Sequence, residues 1–337
     1  MEYRNLGNSG VKVSTIAVGA MNFGLNPGKA WIGPGLDEQQ SVEILRYAYD
    51  QGVNFVDTAD LYGSGVSETY VGIGIRDFRD HVVLATKVNA PMGPGPNDRG
   101  VSAFHIKRAC EASLKRLQTD RIDLYQLHVA SFDVPHEETL RALDDLVREG
   151  KVIYLGCSNY PAWMIAEAWG MCELHNWNHF ISAQPLYNLR NRAIELDVLP
   201  VCERHGLGIL PWSPLAAGLL SGKYRRGESP EDGRWSVYPY KDQFADLTDR
   251  EWSIVEAVVE IARERVCEPA QVACAWLLSR KAVSSVLGGP NSLEQMKTYI
   301  GTAEVKLTAE EVARLDAVSE APVDAVPGPS WSPALVV

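Results

Sequence analysis

Eight short apolar runs, at residues 15–20, 54–57, 82–88, 122–128, 152–158, 180–184, 208–212 and 284–287, alternate with longer helical patterns at 38–51, 67–78, 102–117, 137–149, 162–176, 194–205, 250–265 and 293–300. This alternation constrains the fold more than any other feature, because short apolar runs separated by helical periodicity mark βαβ units and a parallel sheet. Eight units in strict sequence, with no doubled strand in the middle, favour a sheet closed on itself over an open, doubly wound one. The expected fold is therefore α/β, a (β/α)8 TIM barrel. Helix boundary signals agree: Ser102 precedes one periodic stretch, and Gly52, Gly150 and Gly206 follow others. A hairpin, residues 2–5 turning through Asn8-Ser9-Gly10 into 11–13, comes first.

A chain of 337 residues could hold two ordinary domains. A barrel, however, uses about 250 residues or more as one domain, and no linker rich in Pro, Gly or Ser interrupts the pattern. Residues 1–319 read as a single barrel domain, and 320–337, with Pro322, Pro327, Pro329 and Pro333, as an extended tail. Segments 22–36, 89–101 and 216–247 exceed the usual connection length, which marks lids and binding loops. Each follows a strand, so each is expected on the C-terminal face, where barrels build their active sites, and the tail is expected against that face too.

A net charge of −11 disfavours nucleic acid and anionic membrane as partners, since phosphate-rich surfaces need a local excess of Lys and Arg. No apolar run approaches the roughly 18 residues of a membrane span, and no secretory leader precedes the first turn. These readings predict a cytoplasmic protein, a monomer or weak homo-oligomer, with a small-molecule partner. Cys110, Cys157, Cys172, Cys202, Cys267 and Cys274 have no metal-ligand spacing and read as reduced and mostly buried, so no metal site is expected.

Asp57, Lys87 and His128 end the second, third and fourth apolar runs, and Tyr62 lies just beyond Asp57. Barrel geometry brings all four to one rim. Hydride transfer to a carbonyl fits these groups. Negative charge develops on the carbonyl oxygen and needs a proton donor within about 3 Å. Tyr62 is the candidate donor; Lys87 is expected to lower its pKa, Asp57 to hold the ammonium, and His128 to orient the carbonyl and stabilise the oxyanion.

The run Asp57-Thr58-Ala59-Asp60-Leu61-Tyr62-Gly63-Ser64-Gly65-Val66-Ser67-Glu68 resembles the first signature of the aldo-keto reductases. Leu114-Lys115-Arg116-Leu117, Asp120, Ile122-Asp123-Leu124-Tyr125 and His128 resemble the stretch that delivers their histidine, and Val83-Leu84-Ala85-Thr86-Lys87 their lysine strand. The resemblance runs from the hairpin to about residue 319 and implies reduction of an aldehyde or ketone, with these four residues catalytic. Potassium-channel β-subunits share the motifs while serving mainly as regulatory partners. Trp212-Ser213-Pro214-Leu215-Ala216 resembles their version of the cofactor loop, so a cofactor-sensing subunit with little turnover stands as the alternative.

No GxGxxG follows the first strand, which removes support for a Rossmann dinucleotide site. The resemblance places a nicotinamide cofactor across the barrel mouth instead, beside Ala20, Met21 and Asp57. Ser158, Asn159 and Gln184 match positions that hydrogen-bond the carboxamide, and Trp212 offers a flat surface for the ring. Ser213, Pro214, Leu215, Ala216, Gly218 and Lys223 resemble the loop that folds over the pyrophosphate, where backbone N–H groups and the lysine suit an anion. Gly289, Asn291 and Gln295 lie in an adenosine-end motif, but Asn291 replaces a common arginine. Arg234 occupies roughly the place from which channel-β-like relatives bring an arginine to the 2′-phosphate, which favours NADPH over NADH. Met21, Phe23, Trp31, Met92, Trp235, Tyr238 and Tyr240 are the candidate apolar walls of a substrate pocket, completed by Tyr62 and His128, for a bulky, partly hydrophobic carbonyl compound.

Overall fold

The computed structural model describes residues 1–24, 35–228, 231, 233–237 and 240–320. An antiparallel hairpin, β1 (Tyr3–Asn5) and β2 (Lys12–Ser14), opens the chain. The strands β3 (Ile16–Gly19), β4 (Phe55–Asp57), β5 (Val83–Val88), β6 (Ile122–Leu127), β7 (Val152–Ser158), β8 (Phe180–Gln184), β9 (Gly208–Ile209) and β10 (Val286–Gly288) follow. They pair in parallel in the order β10-β3-β4-β5-β6-β7-β8-β9. The sheet closes where the Ile209 N–H donates to Ala282 O at 2.8 Å and the Ser284 N–H donates to Ile209 O at 3.0 Å. The expected (β/α)8 barrel is the observed architecture.

The helices among the described residues are α1 (Glu38–Asp50), α2 (Val66–Ile75), α3 (Ala103–Leu117), α4 (His136–Arg148), α5 (Ala162–His175), α6 (Val198–His205), α7 (Tyr240–Phe244), α8 (Asp249–Arg265), α9 (Pro269–Leu278), α10 (Leu293–Gly301) and α11 (Ala309–Ser319). Side-chain caps start many of them: Asp37 with Gln40, Thr248 with Glu251 and Thr308 with Glu311 form capping boxes, and Ser102 accepts from the His105 N–H. α9 and α11 fall outside the stretches marked in the sequence. α9 is buried almost all round, so it carries no amphipathic period, while α11 packs on α8 and donates nothing to the barrel wall. Residues 208–212 shorten to a two-residue strand because Pro211 has no N–H for the ladder.

Alternation along each strand separates two cores. Ile16, Val18, Val56, Leu84, Tyr125, Leu155 and Cys157 face the helices, while Ala17, Phe55, Val83, Ala85, Leu124, Leu210 and Leu287 fill the barrel interior. Leu6 and Val13 join the interior cluster, so the hairpin closes the N-terminal end. Stepping by two along the inward faces leads from Phe55 to Asp57, from Ala85 to Lys87, and from Leu124 through Gln126 to His128. The same step leads from Gly156 to Ser158 and from Ser182 to Gln184. The interior therefore turns from apolar to polar toward the C-terminal rim. Gly156 is required in this layer, since a Cβ there would lie 2.7 Å from Ser182 Oγ and 3.1 Å from Gln126 Cγ. The six cysteines are free, five of them buried and Cys267 half-buried, and no described helix is long and apolar enough to cross a membrane. Residues 321–337, where the extended tail is expected, lie outside the described residues.

Candidate active site

Asp57, Tyr62, Lys87 and His128 meet at the rim as the strand ends require. Lys87 Nζ donates to Asp57 Oδ2 at 2.5 Å, to the Thr58 carbonyl at 2.9 Å and to the Tyr62 hydroxyl at 3.3 Å, which occupies all three of its N–H donors. Asp57 Oδ1 accepts from Gln126 Nε2 and Gln184 Nε2, each at 2.9 Å. Lys87 is fully buried and Asp57 nearly so, making a desolvated ion pair whose hydrogen-bonding capacity is met on both sides. Burial pushes the Lys87 pKa down, but Asp57 and Tyr62 pull it up by more, and it stands above the usual lysine range.

Tyr62 departs from the expectation of a lowered pKa. The ammonium of Lys87 acts in that direction, but burial outweighs it, with Asp57 adding to burial, and the phenol stands above its ordinary value. Tyr62 therefore keeps its proton throughout the neutral range. Its ring lies edge-on to His128, with centroids 5.7 Å apart and planes at 82°. Burial, then the charge of Lys87, pushes His128 down to about 3, so the imidazole is neutral; its Nδ1 is buried with no hydrogen-bond partner among the described residues.

Beside this group, Ser158 Oγ donates to the Gln184 carbonyl at 2.8 Å. Asn159 Nδ2 donates to the His128 carbonyl and to Ser158 Oγ, both at 3.0 Å, and Asn159 Oδ1 accepts from Trp212 Nε1 at 3.0 Å, which fixes the half-buried indole. The donor end of Gln184 is turned to Asp57 and Gln126. Next along the chain, Ser213, Ala216, Ala217 and Gly218 all adopt left-handed φ between 49° and 93°. Such non-glycine conformations cost roughly 1–3 kcal/mol each and gather at ligand clamps. The N–H groups of Ala216, Ala217, Gly218, Leu219, Leu220 and Ser221 donate to partners inside the same turn. The exposed cations Lys223, Arg225 and Arg226 follow this turn in the chain.

At the far end, the Asn291 N–H donates to Gln295 Oε1 at 2.8 Å, and Ser292 caps α10 through the Gln295 N–H at 3.2 Å. Ala20 is buried, with its carbonyl accepting from Ser67 Oγ at 2.7 Å, and Met21 and Met92 are half-buried. Phe23 is fully buried in the helix-facing core, and a side chain without accessible surface cannot wall a pocket that substrate enters. Trp235 is also fully buried: it packs against Tyr240 and Phe244 within the loop itself, and its indole N–H donates to the Ala216 carbonyl at 3.3 Å. Both aromatics gain more by closing their own loops than by facing a wet cleft. Trp31 and Tyr238 lie outside the described residues.

Three contributors went unread in the sequence. Gln126 is registered beside Lys87 and precedes His128 by two, a polar residue in an apolar run whose spacing alone would have aimed it inward. Thr58 acts through its backbone carbonyl, which no side-chain pattern reveals. Glu68, fully buried behind β5, accepts from Thr86 Oγ1 and from Arg116 Nε, both at 2.6 Å, and ties all three of the recognised motifs together.

The profile of the Aldo/keto reductase family matches residues 15–320. The chain is 38% identical to a probable voltage-gated potassium channel subunit beta of Arabidopsis thaliana, over 90% of this chain and 92% of that protein. It is 36% identical to an uncharacterized oxidoreductase of Bacillus subtilis, over 98% and 97%. It is also 32% identical to a versiconal hemiacetal acetate reductase of Aspergillus parasiticus, over 94% and 96%. With the profile spanning nine-tenths of a closed barrel whose rim carries its motifs, the chain belongs to the aldo/keto reductase family.

Proposed function

We propose that this protein reduces an aldehyde or ketone to the alcohol, reversibly, with NADPH preferred to NADH and Tyr62 as the proton donor. The observation that carries the reading is the unbroken chain from Asp57 through Lys87 to the Tyr62 hydroxyl. Tyr62 delivers its proton to the carbonyl oxygen from a position about 3 Å away. A phenol with a raised pKa is still a far stronger acid than an alcohol, so transfer to an alkoxide is downhill. Lys87 stabilises the phenolate left behind. Asp57 keeps that ammonium charged despite its burial, and the neutral His128 orients the carbonyl without adding a competing charge. Bound reduced nicotinamide supplies the hydride to the carbonyl carbon.

The residues fit such a cofactor by the order of their chemistry. Trp212 gives a flat apolar face beside Ser158, Asn159 and Gln184; the strained turn at 213–218 with Pro214 and Leu215 comes next; Lys223, Arg234 and the Gly289–Gln295 corner follow. Asn291 cannot supply charge to a 2′-phosphate, and Arg234 can, which supports NADPH. Met21 and Met92 remain as described apolar borders for a bulky substrate. The acidic chain and free cysteines support operation in the cytoplasm, and residues 1–319 act in this reading as one unit.

The test is turnover of a carbonyl panel that includes 4-nitrobenzaldehyde, followed by loss of the reduced cofactor's absorbance. Oxidation of NADPH dependent on substrate is the expected result. Tight cofactor binding with no turnover of any carbonyl would instead favour the second reading, a cofactor-sensing subunit, which the 38% identity to the probable channel subunit motivates.

A further inference from the structure

Asn22 is fully buried in the turn after β3, and its amide joins three loops. Nδ2 donates to the carbonyls of Gly289 and Pro290, each at 3.2 Å, just beyond β10. Oδ1 accepts from Arg234 Nη2 at 3.2 Å, from a residue 212 positions away in the long segment after β9. β3 and β10 are neighbours, so their loops meet as a matter of course. Arg234, however, must reach over the end of β10 to find Asn22. Arg234 is half-buried there, within electrostatic reach of Tyr224, Tyr240 and Tyr299. Asn22 suits this place chemically. An amide oxygen fixes a guanidinium without cancelling its charge, and the same amide supplies the donor that two facing carbonyls require. A carboxylate would fail on both counts.

We infer that Asn22 is a positioning residue for cofactor choice, holding Arg234 at the barrel mouth with its charge intact for the 2′-phosphate of NADPH. The inference rests on the reading that Arg234 meets that phosphate, and the experiment separates the two. Dissociation constants for NADPH and NADH are measured by calorimetry on wild type, Asn22→Asp, Asn22→Ala, Asn22→Thr, Arg234→Ala and the double variant Asn22→Asp/Arg234→Ala, each checked for an intact thermal transition. Arg234→Ala raises the NADPH constant about 10- to 150-fold, the loss of a charge-assisted hydrogen bond, and leaves NADH nearly unchanged. Asn22→Asp shifts the NADPH-to-NADH ratio about tenfold in the same sense, and adds nothing in the Arg234→Ala background. Asn22→Ala shifts it a few-fold, and Asn22→Thr, which still accepts from Arg234, stays closer to wild type; this pair decides the matter if Asn22→Asp does not fold. Equal losses for both cofactors in the Asn22 variants, beside a selective loss in Arg234→Ala, overturn the role of Asn22 alone. Equal losses in Arg234→Ala overturn the phosphate reading and the inference with it.

Discussion

Replacing Asp57 by Asn keeps the shape of the side chain and removes its charge. In the native protein Lys87 Nζ lies 2.5 Å from Asp57 Oδ2 with both groups out of water. The variant leaves the ammonium buried and uncompensated. It also sets a new amide N–H2 against either that ammonium or the glutamines that donate to Oδ1. Removing one partner of a buried pair costs about 3–5 kcal/mol, a large share of the roughly 5–15 kcal/mol that holds a typical domain folded. The pH dependence follows from Lys87. Its folded pKa is raised, so its stabilising contribution is fully present below the unfolded value near 10.4 and is lost as pH rises through the folded value. In Asp57→Asn burial acts without the carboxylate and the folded pKa falls below the unfolded one. The penalty is then fully present below that depressed value and fades as pH rises toward about 10. Urea denaturation followed by tryptophan fluorescence, at about pH 7 and about pH 9.5, measures both effects. The gap between wild type and variant should be widest at the lower pH. Equal midpoints there, or a gap that does not narrow in alkali, would refute the account of the ion pair.

Tyr62→Phe should lower turnover by roughly two to four decades while calorimetry finds cofactor binding preserved, and near-normal turnover would remove Tyr62 as the acid. With His128 held down to about 3, the pH profile of kcat/KM should show no imidazole limb across the neutral range; a break near 6.5 that vanishes in His128→Gln would contradict its neutrality. Gly156→Ala places a methyl 2.7 Å from Ser182 Oγ and 3.1 Å from Gln126 Cγ, which should cost about 1–3 kcal/mol in denaturation and lower turnover by displacing Gln126 from Asp57; an unchanged midpoint would show that the layer has room.

The barrel was legible because each strand is paid in a short apolar run and most helices in a visible cap, as with Ser102 and the Asp37 box. α9 escaped because burial on every side erases the period that identifies a helix, although Pro269 stands at its first turn. α11 carried its own signal in Thr308 and Glu311. Asp57, Lys87 and His128 were legible because strand ends fix their positions, and Tyr62 because it follows Asp57 in the turn beyond β4. The state of Tyr62 was not, since its pKa is a balance between desolvation and two opposite charges that only coordinates can weigh. Phe23 and Trp235 misled for a related reason: a large aromatic in a long loop reads the same whether it faces a ligand or packs its own segment, and both pack. Asn22 and Gln126 matter through partners hundreds or tens of residues away, which one sequence does not pair.

The carboxylate of Asp57, at the end of β4, is gripped by side chains standing on β5, β6 and β8. This brace lies below the loops and uses none of their residues. The Asp57–Lys87 pair and the two glutamines behind it are therefore set by the strands, so segment 89–101 can diverge in length and sequence without disturbing them, while Tyr62 meets Lys87 from the turn beyond β4.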